Sequence, residues 1–414
     1  SAIYFFWKLI AQGYTKARLI FAGISLGLAL ASKFTAVLLF PMLLLVIAAA
    51  IYKDKNRGVS LKKFSIWLFA ILAASFVALH STYFFSIDTV ANTVPQRNMK
   101  HIDYFLEKNF AEGGFAKKAA EFLIFDLKVP MPDYWAGFAG QHLIGSSQLR
   151  KAYLNGEIYA GGKWYYFFEV LLIKTPIPLL IFLFISICYA AMAGKKASFL
   201  NELFISLPIA FFLGIFILIN FNLGIRHILP IVPFMILFAS RIVNIKFKNH
   251  FHNHLFRIFI GMLIVWYVLS ALFIMPDYMA YFNEFVGMDN GHKYLLSSNL
   301  DQGQDLKRLA EYIKKNNIGK VKISYHGTFD PKYYNISYEL LPMESYIAWG
   351  PGYTLYDPPE SYKEDCSKKY GIIAISISNL HNFNLKNESC FNWLKGYEPI
   401  KRIGYTIYIY NITK

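Results

Sequence analysis

Apolar residues in this chain come in long unbroken runs. They occupy 19–31, 34–52, 64–87, 176–193, 201–221, 227–243 and 255–275. Crossing a bilayer takes about 20 apolar residues, so each run predicts a membrane helix. The first is short, and only Ser32 and Lys33 separate it from the second, which predicts a tight helical hairpin. A single short run also reads as a buried core helix; so many in one chain favour the membrane.

The polar intervals predict the rest. Segment 88–175 interleaves Gly, Pro and aromatic residues with charges. Within it, FLEKNF and KKAAEFLIFDLK (102–126) read either as a pair of amphipathic helices on the membrane surface or as a plain loop cap. Residues 277–414 read as a small α/β domain. SNLDQGQDLKRLAEYIKKNNIG predicts one helix with its N-cap at Asn299 or Asp301 and Gly319 past its end. KVKISY, YGIIAISIS and RIGYTIYIYNI predict strands. The expected fold is a polytopic α-helical membrane protein, with 1–276 as the membrane region and 277–414 as a C-terminal extracytoplasmic α/β domain.

Composition agrees. Of 414 residues, 56% are hydrophobic and 16% charged, against about 45–50% and about 25% in soluble domains. This excludes a disordered chain and an ordinary soluble enzyme. The net charge of +16 does not favour nucleic acid, whose binders gather Lys and Arg on one soluble face. Here the cations cluster in short loops: Lys8, Lys16 and Arg18; Lys53, Lys55, Arg57, Lys62 and Lys63; Lys195 and Lys196; Arg241, Lys246, Lys248 and Arg257. With these clusters in the cytoplasm, the Lys33 turn, segment 88–175, turn 222–226 and everything after 276 fall outside, in strict alternation. Residues 1–12, SAIYFFWKLIAQ, read as the tail of a membrane helix, so an N-terminally truncated chain is expected.

Of three cysteines, Cys188 lies in an apolar run, whereas Cys366 and Cys390 fall in the external domain, where a disulfide is one possibility. No CxxC or HExxH spacing argues for zinc, and no metal is expected. Asn335, Asn387 and Asn411 begin glycosylation-acceptor triplets.

Candidate chemistry lies with cations at the outer ends of apolar runs. Lys33 sits at the hairpin turn, Lys174 in LLIKTPIP, and Arg226 and His227 in FNLGIRHILPIVP. Singly, each reads as a residue snorkelling to the headgroups. Together, with Pro176, Pro178, Pro230 and Pro233 interrupting helices at the same level, they predict a site for a lipid-borne phosphate: Arg as a planar fork, Lys as a point charge. Trp135, Trp164, Tyr165 and Tyr166 read as sugar-stacking residues or as an interfacial aromatic belt.

The strings GISLGLALASKFTAVLLFP, YLNGEIYAGGKWYYFFEVLLIKTPIPLL, FNLGIRHILPIVPF and YFNEFVG with SSNLDQGQDLKRLAEYI together resemble bacterial protein-O-mannosyltransferase-like membrane glycosyltransferases (GT-C fold, glycosyltransferase family 39), in order from about residue 20 to the C-terminus. The resemblance implies inverting transfer of a sugar from a polyprenyl-phosphate donor to a hydroxyl of a lipid, glycan or protein, at the outer face of the cytoplasmic membrane. It implies no cofactor and no dissociable metal. Lys33, Lys174, Arg226 and His227 would hold the lipid phosphate, and Trp135, Trp164, Tyr165, Asn299 and Asp301 would contact sugar or acceptor. The catalytic acid of this family is expected upstream of Ser1, so this chain alone is expected to be inactive. Asp88, Asp103, Asp133, Glu157 and Glu284 do not stand in its place. Ser297 and Gln302 replace the family's Asp and Trp, and Ser32 replaces a more usual Thr. A transporter or lipid flippase, and a non-catalytic scaffold presenting the external domain, are the competing readings; no matching halves of the transporter kind are visible.

Overall fold

The computed structural model describes residues 1–53, 61–94, 99, 102–103, 106–107, 110–145, 151–192, 199–219, 222–327, 329–343, 365–383, 385 and 387–413. Lys55, Arg57, Lys195 and Lys196 of the charge pattern lie outside them, as do Phe105, Lys108 and Asn109 of the proposed surface helices. Among the described residues three helices are long and apolar enough to cross a membrane: 65–82 within Leu61–Thr82, Phe199–Leu218 and His250–Phe273. A fourth span is formed if Tyr166–Lys174 and Ile177–Met192, bent by 117°, count as one. The remaining predicted spans are shorter. Lys16–Ser32 has 17 residues, and run 34–52 opens with a 3-10 turn, Phe34–Leu38, before Leu39–Lys53.

Run 227–243, expected as one regular helix, is short and irregular: its helical stretch is Leu229–Asn244. It divides into 3-10 turns Ile225–His227 and Leu229–Ile231, the helix Val232–Ala239 and the 3-10 turn Ser240–Asn244. Pro230 and Pro233 each sit in the first turn of a piece. A proline brings no N–H, so both are placed where a first turn leaves its N–H groups without intrahelical partners.

The chain forms two compact units, one of residues 1–147 with 195–211, the other of 148–194 with 212–414. In the first unit, Lys16–Ser32 packs along Leu61–Thr82. Gly23 and Gly27 make that approach possible. A Cβ on Gly23 would stand 2.5 Å from the Ala74 Cβ, and one on Gly27 would stand 2.4 Å from the Ser75 carbonyl oxygen. This is the small-residue seam by which membrane helices bring their backbones together. The Thr15 side chain caps the Lys16–Ser32 helix by accepting the Arg18 N–H (3.2 Å). Residues 115–126 form one short helix, Phe115–Glu121, with a wider turn, Phe122–Asp126.

The second unit begins with a β-hairpin, Lys151–Leu154 paired to Glu157–Ala160. Its turn is Asn155-Gly156, both at positive φ (55° and 86°), the pair that suits a two-residue hairpin loop. The C-terminal part carries a five-stranded sheet in the order 338–340, 321–324, 371–376, 407–412, 401–403. The first three strands are parallel and the last two antiparallel. RIGYTIYIYNI is therefore a hairpin of two strands. Leu306, Leu309 and Ile313 of helix Leu306–Lys315 pack on Val321, Ile323 and Ile409 to form its core. Cys366 and Cys390 are disulfide-bonded.

Helix Leu306–Lys315 starts later than expected. Its N-cap position is Asp305, without a side-chain capping bond, so neither Asn299 nor Asp301 caps it. Asn299 closes a separate 3-10 turn, Ser297–Asn299, and Asp301 accepts the Gly303 N–H (2.9 Å). Asp305 is buried, accepts from Thr406 (2.8 Å) and pairs with Arg308 (2.9 Å). Two histidines tie the hairpin to this region. His292 Nδ1 lies 2.9 Å from His381 Nε2, and Tyr153 Oη lies 3.3 Å from His381 Nδ1.

Candidate functional site

The site assembles in the second unit from three stretches that are far apart in sequence. Helix Tyr166–Lys174 ends where Thr175 turns extended and Pro176 follows, because a residue before proline avoids the helical region. The chain then turns by 117° into Ile177–Met192. Such a break exposes helix-end carbonyls that need donors. Asn283 supplies them: its Nδ2 donates to the carbonyls of Leu172 (2.6 Å) and Thr175 (2.9 Å), and its backbone N–H donates to Ile173 (2.9 Å).

Lys174, the last residue of that helix, is buried. Its ammonium donates to the carbonyls of Asn299 (2.7 Å) and Met279 (2.9 Å) and lies 4.2 Å from the centre of the Phe282 ring. Two of its three donors are thus spent on backbone oxygens. Lys174 is a clamp between the helix end and the 279–299 segment, and any anion would share it with those carbonyls.

Asn299 is the node. Its carbonyl receives Lys174, its Oδ1 accepts the Ile225 N–H (2.9 Å), and its Nδ2 donates to the buried Tyr166 hydroxyl (3.1 Å). Ser298 reinforces the junction by donating to the Leu223 carbonyl. On the facing loop, Gly224 has φ +114°, and a Cβ there would stand 2.7 Å from Ser298 Oγ. Only glycine meets both demands, the backbone angle and the close approach. Upstream, Asn222 donates to Tyr159 Oη (3.0 Å) and to the Lys163 carbonyl (3.2 Å), which seats the loop on the hairpin.

The loop then presents two basic residues differently. Arg226 is exposed, whereas His227 is buried with its ring 5.6 Å from that of Phe216. Arg226 Nε donates to His227 Nε2 at 3.4 Å. The planar guanidinium is thus steered by a neighbour on an exposed residue, and its fork shape is the one that suits bidentate binding of an oxyanion.

Other predicted residues take separate places. Lys33 lies in the first unit, half-buried and extended (φ −161°) between Lys16–Ser32 and Phe34–Leu38. Trp135 is also in that unit, on helix Pro132–Gly145; it is exposed and donates Nε1–H to the Pro130 carbonyl (3.0 Å). Trp164 and Tyr165 are exposed in the second unit beside the Lys163–Glu157 ion pair (2.9 Å), and their rings pack edge-on 5.8 Å apart. That pair holds the Glu157 carboxyl below its ordinary value and Lys163 above its own. Asp301 is buried one turn away from the Asn299 node. Asp88 is held low by hydrogen bonds from Asn92 and the Thr89 N–H. Glu284 accepts from Trp266 and Ser270.

Residues that the motifs did not single out do much of the assembly: Asn283, Asn222, Tyr166 as a hydrogen-bond partner, and Met279 through its carbonyl. A polar side chain beside a proline-broken helix was the one available signal, and Asn283 in YFNEF fits it. Among the described residues no three His, Cys, Asp or Glu side chains gather as a metal site. Comparison with family models, with curated proteins and with solved structures finds no match to this chain.

Proposed function

We propose that this chain belongs to a membrane glycosyltransferase of the protein-O-mannosyltransferase-like, GT-C type. It transfers a sugar from a polyprenyl-phosphate donor to a hydroxyl of a glycan, lipid or protein at the outer face of the cytoplasmic membrane, with the 277–414 region extracytoplasmic. One observation carries the reading. Three of the strings behind the resemblance, KTPIP, GIRH and SSNLD, meet at a single residue, Asn299, through Lys174, Ile225 and Tyr166.

In this reading Arg226 is the cation that meets the phosphate. Breaking the sugar–phosphate bond builds negative charge on the departing lipid phosphate. A guanidinium held in place before the reaction stabilises that charge without reorganising. Lys174 and His227 support it from beneath, Lys174 by holding the helix end and the Asn299 turn in register, His227 by orienting the guanidinium. Trp164 and Tyr165 offer exposed aromatic faces to a sugar. Lys33 is assigned to the same phosphate by the resemblance alone.

The test is transfer from a polyprenyl-phosphate sugar by the full-length protein in vesicles. Arg226→Gln is expected to lower turnover by about 10²-fold, the usual loss for one fixed donor at a developing oxyanion, with insertion and expression unchanged. Unchanged turnover in Arg226→Gln overturns the assignment. Accumulation of substrate inside vesicles with no glycosyl product overturns the enzyme reading in favour of transport.

A further inference from the structure

A cavity of about 1010 Å³ opens beside the outer half of helix His250–Phe273, between that helix and the 281–288 segment. Its walls are apolar: Met262, Val265, Leu269, Phe273, Phe282 and Met288. The volume is at the upper end for small-molecule sites. Of the three spanning-length helices among the described residues, the one it borders has the highest mean hydropathy, 2.1, with only 11% of its window buried. A carboxylate, Glu284, stands at the cavity wall. Trp266 Nε1–H (2.9 Å) and the Ser270 hydroxyl (2.8 Å) both donate to its Oε1. Both partners are neutral, and Oε2 is left to accept from whatever fills the cavity. Among the described residues no Lys, Arg or His forms an ion pair with Glu284.

Glu284 is exposed at the rim of this apolar surface, where a carboxylate meets headgroups rather than acyl chains and attracts a cationic donor. The sign of the missing charge excludes a phosphate head directly at Glu284, since like charges repel. The Lys174 ammonium, over the Phe282 ring, is held by two backbone carbonyls and pairs with no carboxylate among the described residues.

We propose that this cavity binds a membrane lipid with a primary ammonium head, of the phosphatidylethanolamine class, with its acyl chains on the apolar walls and its N–H donors on Glu284 Oε2. The proposal does not rest on the glycosyltransferase reading. A hydrogen bond between charged groups corresponds to a preference of about tenfold.

The test is native mass spectrometry of the purified protein in micelles holding equal amounts of three lipids: phosphatidylethanolamine, phosphatidylcholine, whose quaternary head has no N–H, and anionic phosphatidylglycerol. The wild type is expected to retain phosphatidylethanolamine about tenfold over both others. Glu284→Gln keeps an oxygen for Trp266 and Ser270, so it leaves the fold intact and is expected to erase the preference. Gly261→Phe fills the cavity where a Cβ meets nothing within 4 Å, and is expected to reduce retention of all three lipids. Equal retention of the three lipids by the wild type, preference for the anionic lipid, or an unchanged preference in Glu284→Gln overturns the proposal. Unchanged tryptophan fluorescence in Glu284→Gln shows that the comparison is made on folded protein.

Discussion

Replacing Asn299 by Ala removes a side chain that joins the Gly224–His227 turn to helix Tyr166–Lys174. Two hydrogen bonds go, from the Ile225 N–H and to the Tyr166 hydroxyl. Each is worth about 0.5–1.5 kcal/mol net, and each buried group left without a partner costs about 1–3 kcal/mol. Tyr166 is fully buried, so its hydroxyl bears the larger penalty; the Ile225 N–H is only half-buried and regains water. The expected destabilisation is about 2–4 kcal/mol. The Lys174 clamp survives, because it uses the residue 299 backbone carbonyl. For a unit of this size that corresponds to a fall in Tm of about 4–16 °C. Thermal unfolding in detergent, followed by near-UV circular dichroism, measures it. Tyr166→Phe is the internal control: with the hydroxyl absent, the further cost of Asn299→Ala is expected to be smaller, a coupling that a double-mutant cycle reads directly. A Tm within 1 °C of wild type, or strictly additive single variants, refutes the idea that Asn299 is the node.

Gly224→Ala is expected to cost about 1–3 kcal/mol, because its φ of +114° suits glycine alone and its Cβ would press on Ser298. Gly214→Ala, in helix Phe199–Leu218 with open space around the Cβ, is expected to stabilise by about 1 kcal/mol; denaturant midpoints of the pair give both. The histidine pair predicts a pH dependence. Burial, assisted by Lys293 and Arg402, pushes His292 down to about 4, and burial with His292 and Lys395 beside it pushes His381 to about 3, while Asp289 pulls His292 the other way. The unfolded chain takes up protons near pH 6.5 and the folded one does not. Stability is therefore full above that pH and falls on acidification toward 4, by up to about 1.4 kcal/mol per pH unit for each ring. Urea midpoints at pH 7.5 and 5 test it, and His292→Asn with His381→Asn should flatten the difference.

Much of this architecture was legible in the pattern of runs and breaks. The long apolar runs 64–87, 201–221 and 255–275 carry helices that meet the spanning criterion, 201–221 even with Pro208 inside its helix. Run 227–243 departs from a regular span because it is short and mixes 3-10 with α geometry, and Pro230 and Pro233 sit in its first turns. Asn155-Gly156 was a readable hairpin signal, obscured by the aromatic and charged residues around it. GISLG carried the Gly23–Gly27 seam openly, and its spacing of four is the small-residue pattern of close membrane helices. At the site, Lys174 and Arg226 were recognisable as cations at helix breaks, but their different tasks were not. Which one is buried on carbonyls and which one is exposed depends on where residues 279 and 299 come to lie, more than a hundred positions downstream of Lys174.

The Asn283 contacts also bear on how the chain is made. The carbonyls of Leu172 and Thr175 wait for an amide that lies 111 and 108 residues later in the sequence. At about 5–20 residues per second the ribosome delivers it roughly 5–20 s after the elbow has emerged. During that interval the bend must be sheltered by water or by the insertion machinery, since hydrocarbon offers no donors. Ribosome stalling just before codon 283 should therefore trap a nascent chain whose elbow is still open to proteases, and stalling well after it a chain whose elbow is closed.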